Sequence, residues 1–342
     1  MNSDFERLSR RDLLRGERPR PVSAPQPNSG RRPCSVPLVR LAREAMACTF
    51  EIQFPRGSIS RGLALSCLDE VDEMERRLTV YRDDSETSRI NRDAYYRPVE
   101  VDAALFDLLA ECRRYWAETG GAFDATAGPL ISAWGFKRRA GRAPSNNEIA
   151  EALLRVGTQH IQLNARARTV RMTRPGMEVN FGAVGKGYAL DRISDRMSAH
   201  GIEAALLGAG GSSIRAMGSA PGTEGWLIDV SSPAERGAAA ARLRLRDQAA
   251  STSGSTEQYF EHEGKRYGHV LDPRTGWPAT SMRQATVVAP TALRAEALST
   301  AVFVLGAEWM KDYCARNSDV GAVLFSVDAN VPDVVGRVEL AM

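Results

Sequence analysis

Val179-Asn-Phe-Gly-Ala-Val-Gly-Lys-Gly-Tyr-Ala-Leu-Asp191 passes from a strand-like start through glycines into a helical pattern that opens on a lysine. Backbone N–H groups at a helix N-terminus, with one ammonium beside them, suit a diphosphate. The stretch is not a Walker A loop, because the glycine spacing and the hydroxyl after Lys186 are both missing. Strand signals around it fall at Ile161 to Leu163 and Val170 to Met172 as a hairpin. Others follow at Glu178 to Phe181, Ala204 to Leu207, Trp226 to Val230, Ala285 to Val288 and Val320 to Val327. Helices are expected near Gly187 to His200, Thr291 to Leu305 and Ala307 to Ala315. Nothing repeats as a regular βαβ unit, so the expected class is α+β rather than a doubly wound sheet.

Towards the N-terminus, Phe50, Ile52 and Phe54 alternate as a half-buried strand, and Cys67, Val71, Met74 and Leu78 recur at helical spacing. A second helix is capped by Asp102 and carries Leu105, Leu108, Leu109, Cys112 and Trp116 on one stripe. It stops at Gly120-Gly121.

The 342 residues are 43% hydrophobic and 25% charged, an ordinary globular balance with ample material for a core. The net charge of +3 is misplaced for a nucleic-acid reader: residues 1–40 hold nine arginines against four acids, or +5, which leaves −2 for the rest. A near-neutral body argues against phosphate-backbone binding. Residues 1–36 are expected to be a disordered, basic, Pro-rich tail, with one catalytic domain over 37–342. Leu8-Ser-Arg-Arg-Asp-Leu-Leu-Arg-Gly16 resembles a twin-arginine export opening. A Pro-rich polar run follows it instead of an apolar core, so no transmembrane segment is expected and the cytoplasm is favoured. Five scattered cysteines, with no C-x-x-C, suggest neither a disulfide framework nor a zinc site.

Four segments carry chemistry. In Gly120-Gly-Ala-Phe-Asp-Ala-Thr-Ala-Gly-Pro129, small residues let backbone approach a ligand, although a helix C-cap with a turn is the favoured reading of the stretch alone. Val179 to Asp191 is the second. The third joins Ser251-Thr-Ser-Gly254 to Tyr267-Gly-His-Val-Leu-Asp-Pro-Arg-Thr-Gly276. There His269 stands between an apolar strand and an Asp-Pro turn, and a histidine titrating near neutrality is able to take a proton from a hydroxyl. His160, His200 and His262 read as surface residues. The fourth is Ala295-Glu-Ala-Leu-Ser-Thr-Ala-Val-Phe-Val-Leu-Gly306, in which Glu296 and Thr300 share a helical face as oxygen ligands suited to magnesium. On spacing alone an amphipathic helix with a polar edge is the favoured reading.

Taken in order from Met46 to Gly306, these segments resemble the FAD:protein FMN transferase (ApbE) family. Thr79-Val-Tyr81, Asp84-Ser-Glu-Thr-Ser-Arg-Ile-Asn91 and Gly210-Gly211 join the set. The resemblance implies a single T-fold-like catalytic body of mixed sheets packed with helices. It implies FAD contacts at Met46, Tyr81, Asn91, Ala122, Phe123, Asp124, Asn180, Lys186, Thr252, Val270 and Asp272. It also implies magnesium ligands at the Ala183 carbonyl, Glu296, Ser299 and Thr300, and His269 as the base. The implied reaction splits the FAD diphosphate, attaches FMN to a threonine or serine in a short motif of an acceptor flavoprotein, and releases AMP. No such acceptor motif occurs in this chain.

Three positions depart from the family pattern: Glu296 where aspartate is usual, Asn180 where aspartate is common, and Ser212 where an acid or amide often follows the glycine pair. Two alternatives stay open, an FAD pyrophosphatase giving FMN and AMP, and a non-catalytic FAD-binding or delivery protein.

Overall fold

The computed structural model describes residues 36–341 apart from 139, 140, 236, 256–258 and 330. The expected tail, with its twin-arginine stretch and Cys34, lies outside the described residues except for Val36. The first half of the described chain runs β1 (Leu38–Ala45), β2 (Cys48–Pro55), α1 (Arg61–Leu78), α2 (Glu86–Asp93), β3 (Val99–Glu100), α3 (Ala103–Glu118), α4 (Gly128–Ala133), α5 (Asn146–Leu153), β4 (Ile161–Asn164), β5 (Thr169–Met172) and α6 (Gly185–Ala199). The second half continues with β6 (Ala205–Ala209), β7 (Ser213–Met217), β8 (Trp226–Ser231), β9 (Ala239–Leu245), β10 (Ala249–Gly254), β11 (Tyr259–His262), β12 (Lys265–Gly268), β13 (Met282–Ala289), α7 (Ala292–Leu305), α8 (Ala307–Arg316), β14 (Gly321–Ser326) and β15 (Asp333–Gly336).

An eight-stranded sheet in the order β1-β2-β6-β7-β10-β13-β14-β15 organises the molecule, and every pairing in it is antiparallel. That ladder excludes the parallel doubly wound alternative and fits the α+β expectation. Helices α1, α6 and α7 lie on one face, where Ala285, Val287, Ala289, Ala322 and Leu324 join the main core. Alternate residues of the same strands, Val288, Val323 and Phe325, pack on the opposite face with Trp226, Val230, Leu243 and Leu245 of the β8–β9 hairpin. Cover on both faces explains why β13 and β14 read as nearly continuous apolar runs. A satellite core of Leu130, Trp134, Ile149, Ala152, Val156 and Leu271 joins α4 and α5 to the Asp-Pro turn.

Three expectations are corrected. Glu178 to Phe181 is not a strand; it forms only an isolated parallel bridge between Glu178 and Ala127. Its backbone is claimed by side chains and a loop: Val179 bonds both ways to the Asn91 amide, and the Asn180 N–H donates to the Ala125 carbonyl. On α3 the buried stripe passes from Cys112 to Tyr115, leaving Trp116 half-buried. Helix α7 has no solvent-facing polar edge at Glu296, because it is buried around most of its circumference between the sheet, α6 and α3. An all-round apolar helix belongs in a core, so a carboxylate within it must be paired.

Candidate functional site

Helices α6 and α7 build the floor of the site by an unusually close approach. A Cβ placed on Gly187 would lie 2.4 Å from the Ala292 carbonyl oxygen and 2.9 Å from Glu296 Oε2, so only glycine admits α7 here. The Gly187 N–H donates to Glu296 Oε2 at 2.7 Å, and the Ser213 hydroxyl donates to Oε1 at 2.5 Å. Lys186 Nζ stands 3.5 Å from Oε1. Glu296 is 3% exposed, and these three partners offset its desolvation. In return Asp191 of α6 accepts from the Ala292 and Leu293 N–H groups at 2.8 Å each, capping α7, while Thr291 caps the Arg294 N–H. Burial pushes the Asp191 carboxyl up to about 6, against the pull of those N–H donors and of Arg215.

Helix α6 has no side-chain cap of its own. Its approach is shaped by Asn180, whose Oδ1 accepts from the Gly182 N–H at 2.8 Å, a bond asparagine makes as well as aspartate does. The exposed Ala183 and the ammonium of Lys186 therefore stand beside a helix N-terminus, the arrangement an anionic group requires.

Above this floor lies a cavity of about 420 Å³. Among the expected residues it is lined by Met46, Tyr81, Ala122, Phe123, Asp124, Asn180, Ala183, Lys186, Thr252, His269, Val270, Glu296, Ser299 and Thr300. Asn91 and Asp272 do not line it. Asn91 is spent on the Val179 backbone, and the Asp272 carboxylate is bonded to the Arg274 N–H at 2.9 Å and paired with its guanidinium at 2.9 Å. Each binds next to a lining residue: Asn91 at Val179, which precedes Asn180, and Asp272 at Arg274, which follows Pro273.

The walls follow from local sequence. Met46 and Ala47 form the β1–β2 turn with φ of 49° and 60°, values that a tight right-twisted hairpin demands and that non-glycine residues resist. Tyr81, 70% exposed, offers an aromatic face at the mouth. Asp124 organises its loop: Oδ1 accepts from the Thr126 N–H and hydroxyl and from the Thr158 hydroxyl, and Oδ2 accepts from the Thr158 N–H. Gly276 closes the Asp-Pro turn, its carbonyl accepting from Trp134 Nε1 at 2.8 Å, and a Cβ there would lie 2.5 Å from Ile149. That contact fixes the turn carrying His269 and Val270 to the satellite core.

Several lining residues escaped the sequence reading. Lys137, paired with Glu178 at 2.5 Å, adds a second ammonium, and Ile131, Phe136, Leu271 and Pro273 make an apolar end. Ser251 and Ser253 join Ser299 in a hydroxyl ladder. Local signal was present for Ser251 and Ser253, in a run of small polar residues, and for Leu271 and Pro273, in the Asp-Pro turn segment.

The oxygen donors are hard ones: a carbonyl at Ala183, a carboxylate at Glu296 and a hydroxyl at Thr300 suit magnesium better than zinc. Ser299 Oγ, the fourth expected ligand, lies beside them, in contact with Ser251, Ser253 and the Glu296 carbonyl. Among the described residues no group of three or more His, Cys, Asp or Glu could hold a metal. Cysteine nucleophiles are also disfavoured: burial pushes the Cys48 thiol near Lys186 and Glu296 up to about 11. A roomier cavity of about 550 Å³ beneath the β8–β9 hairpin shares Ser212 and Thr252 with the first but contains neither His269, Lys186 nor Glu296. No helix among the described residues is long and apolar enough to cross a membrane.

Known proteins share this arrangement of sequence and fold. Residues 46–324 match the model of the ApbE family. A curated relative named FAD:protein FMN transferase from Klebsiella pneumoniae is 36% identical over 70% of each chain. The crystal structure of the ApbE protein of Thermotoga maritima superposes with a TM-score of 0.78 at 30% identity, covering 89% of this chain and 97% of that one. The apo flavinyl transferase ApbE of Pseudomonas stutzeri gives 0.78 at 28% identity, covering 87% and 95%. A conserved overall superposition and a family match spanning the whole cavity lead to one conclusion: the chain belongs to the ApbE family.

Proposed function

We propose that this protein is a magnesium-dependent FAD:protein FMN transferase, which cleaves the FAD diphosphate and joins FMN through a phosphoester to a threonine or serine of an acceptor flavoprotein, releasing AMP. One observation carries the reading: Lys186 in the first turn of α6, the oxygens of Ala183, Glu296 and Thr300, and the imidazole of His269 line a single cavity. The names of the relatives point the same way.

The chemistry follows from charge. A diphosphate repels an incoming hydroxyl, and Lys186, standing in the positive field at the start of α6, offsets that negative charge while fixing the anhydride in place. Ala183, Glu296 and Thr300 would hold magnesium, which would supply Lewis-acid stabilisation to the phosphoryl oxygens. Glu296 already takes bonds from Gly187 and Ser213, so its longer reach than aspartate is absorbed by α6 and the side chain is held in one orientation. His269 accepts the proton of the acceptor hydroxyl as that oxygen attacks the FMN phosphorus. The P–O bond to AMP then breaks, and its electron pair leaves with AMP. Phosphoryl transfer asks chiefly for such positioning and electrostatics.

Incubating the protein with FAD, magnesium and an acceptor flavoprotein tests this. Release of AMP together with a fluorescent covalent flavin band on the acceptor is expected. AMP with free FMN alone would assign a pyrophosphatase, and intact bound FAD a carrier.

A further inference from the structure

The sheet face turned away from α6 and α7 encloses a second space. The cavity of about 550 Å³ beneath the β8–β9 hairpin meets the nucleotide cavity at Ser212 and Thr252, which line both. It has the size of a small-molecule site, with room for about 18 waters at roughly 30 Å³ each.

Its construction suits a flat ring with an N–H donor at one end and a phosphate at the other. Ile214 and Ala250 of the sheet stand on one side and Ile228 and Leu243 of the hairpin on the other, so the middle is apolar. The inner wall is polar. Gln284 is only 8% exposed, and its Nε2 donates to the Ser231 carbonyl at 2.8 Å. That bond fixes the amide and leaves Oε1 without a hydrogen bond among the described residues. A carbonyl oxygen placed so deeply calls for an N–H partner. On the same face the Thr252 and Thr286 hydroxyls hold each other at 2.8 Å, with further lone pairs to offer. At the rim, Arg266 lays its guanidinium 3.4 Å from the centre of the Tyr259 ring and donates one N–H to the Ser255 carbonyl, and it has no carboxylate partner among the described residues. Asp229, the acid among the lining residues, is already paired with Arg242. A guanidinium held in this way is suited to a phosphate.

We infer that this cavity is a second nucleotide site, which takes AMP: adenine lies between sheet and hairpin with its amino group donating to Gln284 Oε1, and the phosphate meets Arg266. The inference rests on the transferase reading, in which AMP is the fragment set free while FMN leaves joined to the acceptor. The shared wall of Ser212 and Thr252 puts the second site directly beside the place of release, and both sites can be filled at once.

Equilibrium dialysis of radiolabelled AMP against the protein saturated with FAD, without magnesium so that no turnover occurs, tests it. About one equivalent of AMP is expected to be retained alongside the FAD. Gln284→Leu and, independently, Arg266→Glu at the exposed rim are expected to weaken that retention at least tenfold in samples whose flavin fluorescence shows FAD bound. Loss of AMP in proportion to FAD bound, retention of labelled FMN in place of AMP, or undiminished AMP retention in both variants would overturn the inference. Covalent FMN on an acceptor flavoprotein, measured separately with magnesium, keeps the two readings apart. Transfer without AMP retained beside FAD removes the second site and leaves the transferase, whereas retained AMP without transfer removes the transferase and leaves a nucleotide site.

Discussion

Asp191 and Glu296 each cap the helix that carries the other: Asp191 on α6 binds the first two N–H groups of α7, and Glu296 on α7 binds the Gly187 N–H in the first turn of α6. The helix pair is locked at the place where its residues enter the cavity. Stability and site geometry are therefore coupled through the same three backbone N–H bonds to two carboxylates.

Asp191→Ala leaves two helix-start N–H groups without acceptors, and a loss of about 1–2 kcal/mol is expected in urea unfolding. Because α7 also carries Ser299 and Thr300, the magnesium requirement for activity should rise in the same variant. An unchanged unfolding midpoint would show that Thr291 alone caps α7.

The buried Asp191 carboxyl also sets a pH dependence. Its folded value of about 6 lies above the ordinary 3.8, so the folded state binds the proton more tightly. Its contribution to stability is fully present below about pH 4 and is lost as pH rises to about 6. The stability of the unaltered protein minus that of Asp191→Asn should fall across this window and level off above it. A difference that rises with pH would contradict the assignment.

Gly187→Ala inserts a methyl group against the Ala292 carbonyl. We expect a cost of about 1–3 kcal/mol in chemical denaturation, with weaker magnesium activation because Glu296 must move. A variant as stable and active as the parent would mean that the two helices separate freely.

His269→Ala should keep FAD bound, since Lys186 and the α6 N-terminus remain, yet slow FMN transfer about 10²–10⁴-fold. Binding followed by flavin fluorescence and transfer followed by covalent label separate the two effects. Full activity would remove the imidazole from the mechanism.

Much of this was legible in sequence where a single local rule decides the outcome. The expected helix Thr291 to Leu305 matches α7, which Thr291 caps and Gly306 ends, and the alternation of Phe50, Ile52 and Phe54 placed β2 correctly. Glu178 to Phe181 misled because its apolar alternation is real, while its backbone partners are the distant Asn91 amide and the Ala125 carbonyl. Helix α7 misled for a related reason: spacing alone does not tell a polar edge from a carboxylate buried against a second helix. Asn91 was expected at the nucleotide, and only a tertiary contact reveals that its amide holds the Val179 backbone, whereas the Asp272 bonds to Arg274 are local to its turn. Lys137 carried no signal, since one lysine in a loop acquires meaning only when Glu178 and the cavity are beside it.

The account stands on one diphosphate reaching Lys186, Glu296, Thr300 and His269 together. A crystal structure of the protein with FAD and magnesium tests this most directly. It should show the diphosphate at the start of α6, with the ion on the Glu296 and Thr300 oxygens and His269 facing the FMN phosphorus. FAD seated instead in the cavity beneath the β8–β9 hairpin, or a diphosphate too distant for His269 to meet its nucleophile, would contradict the account.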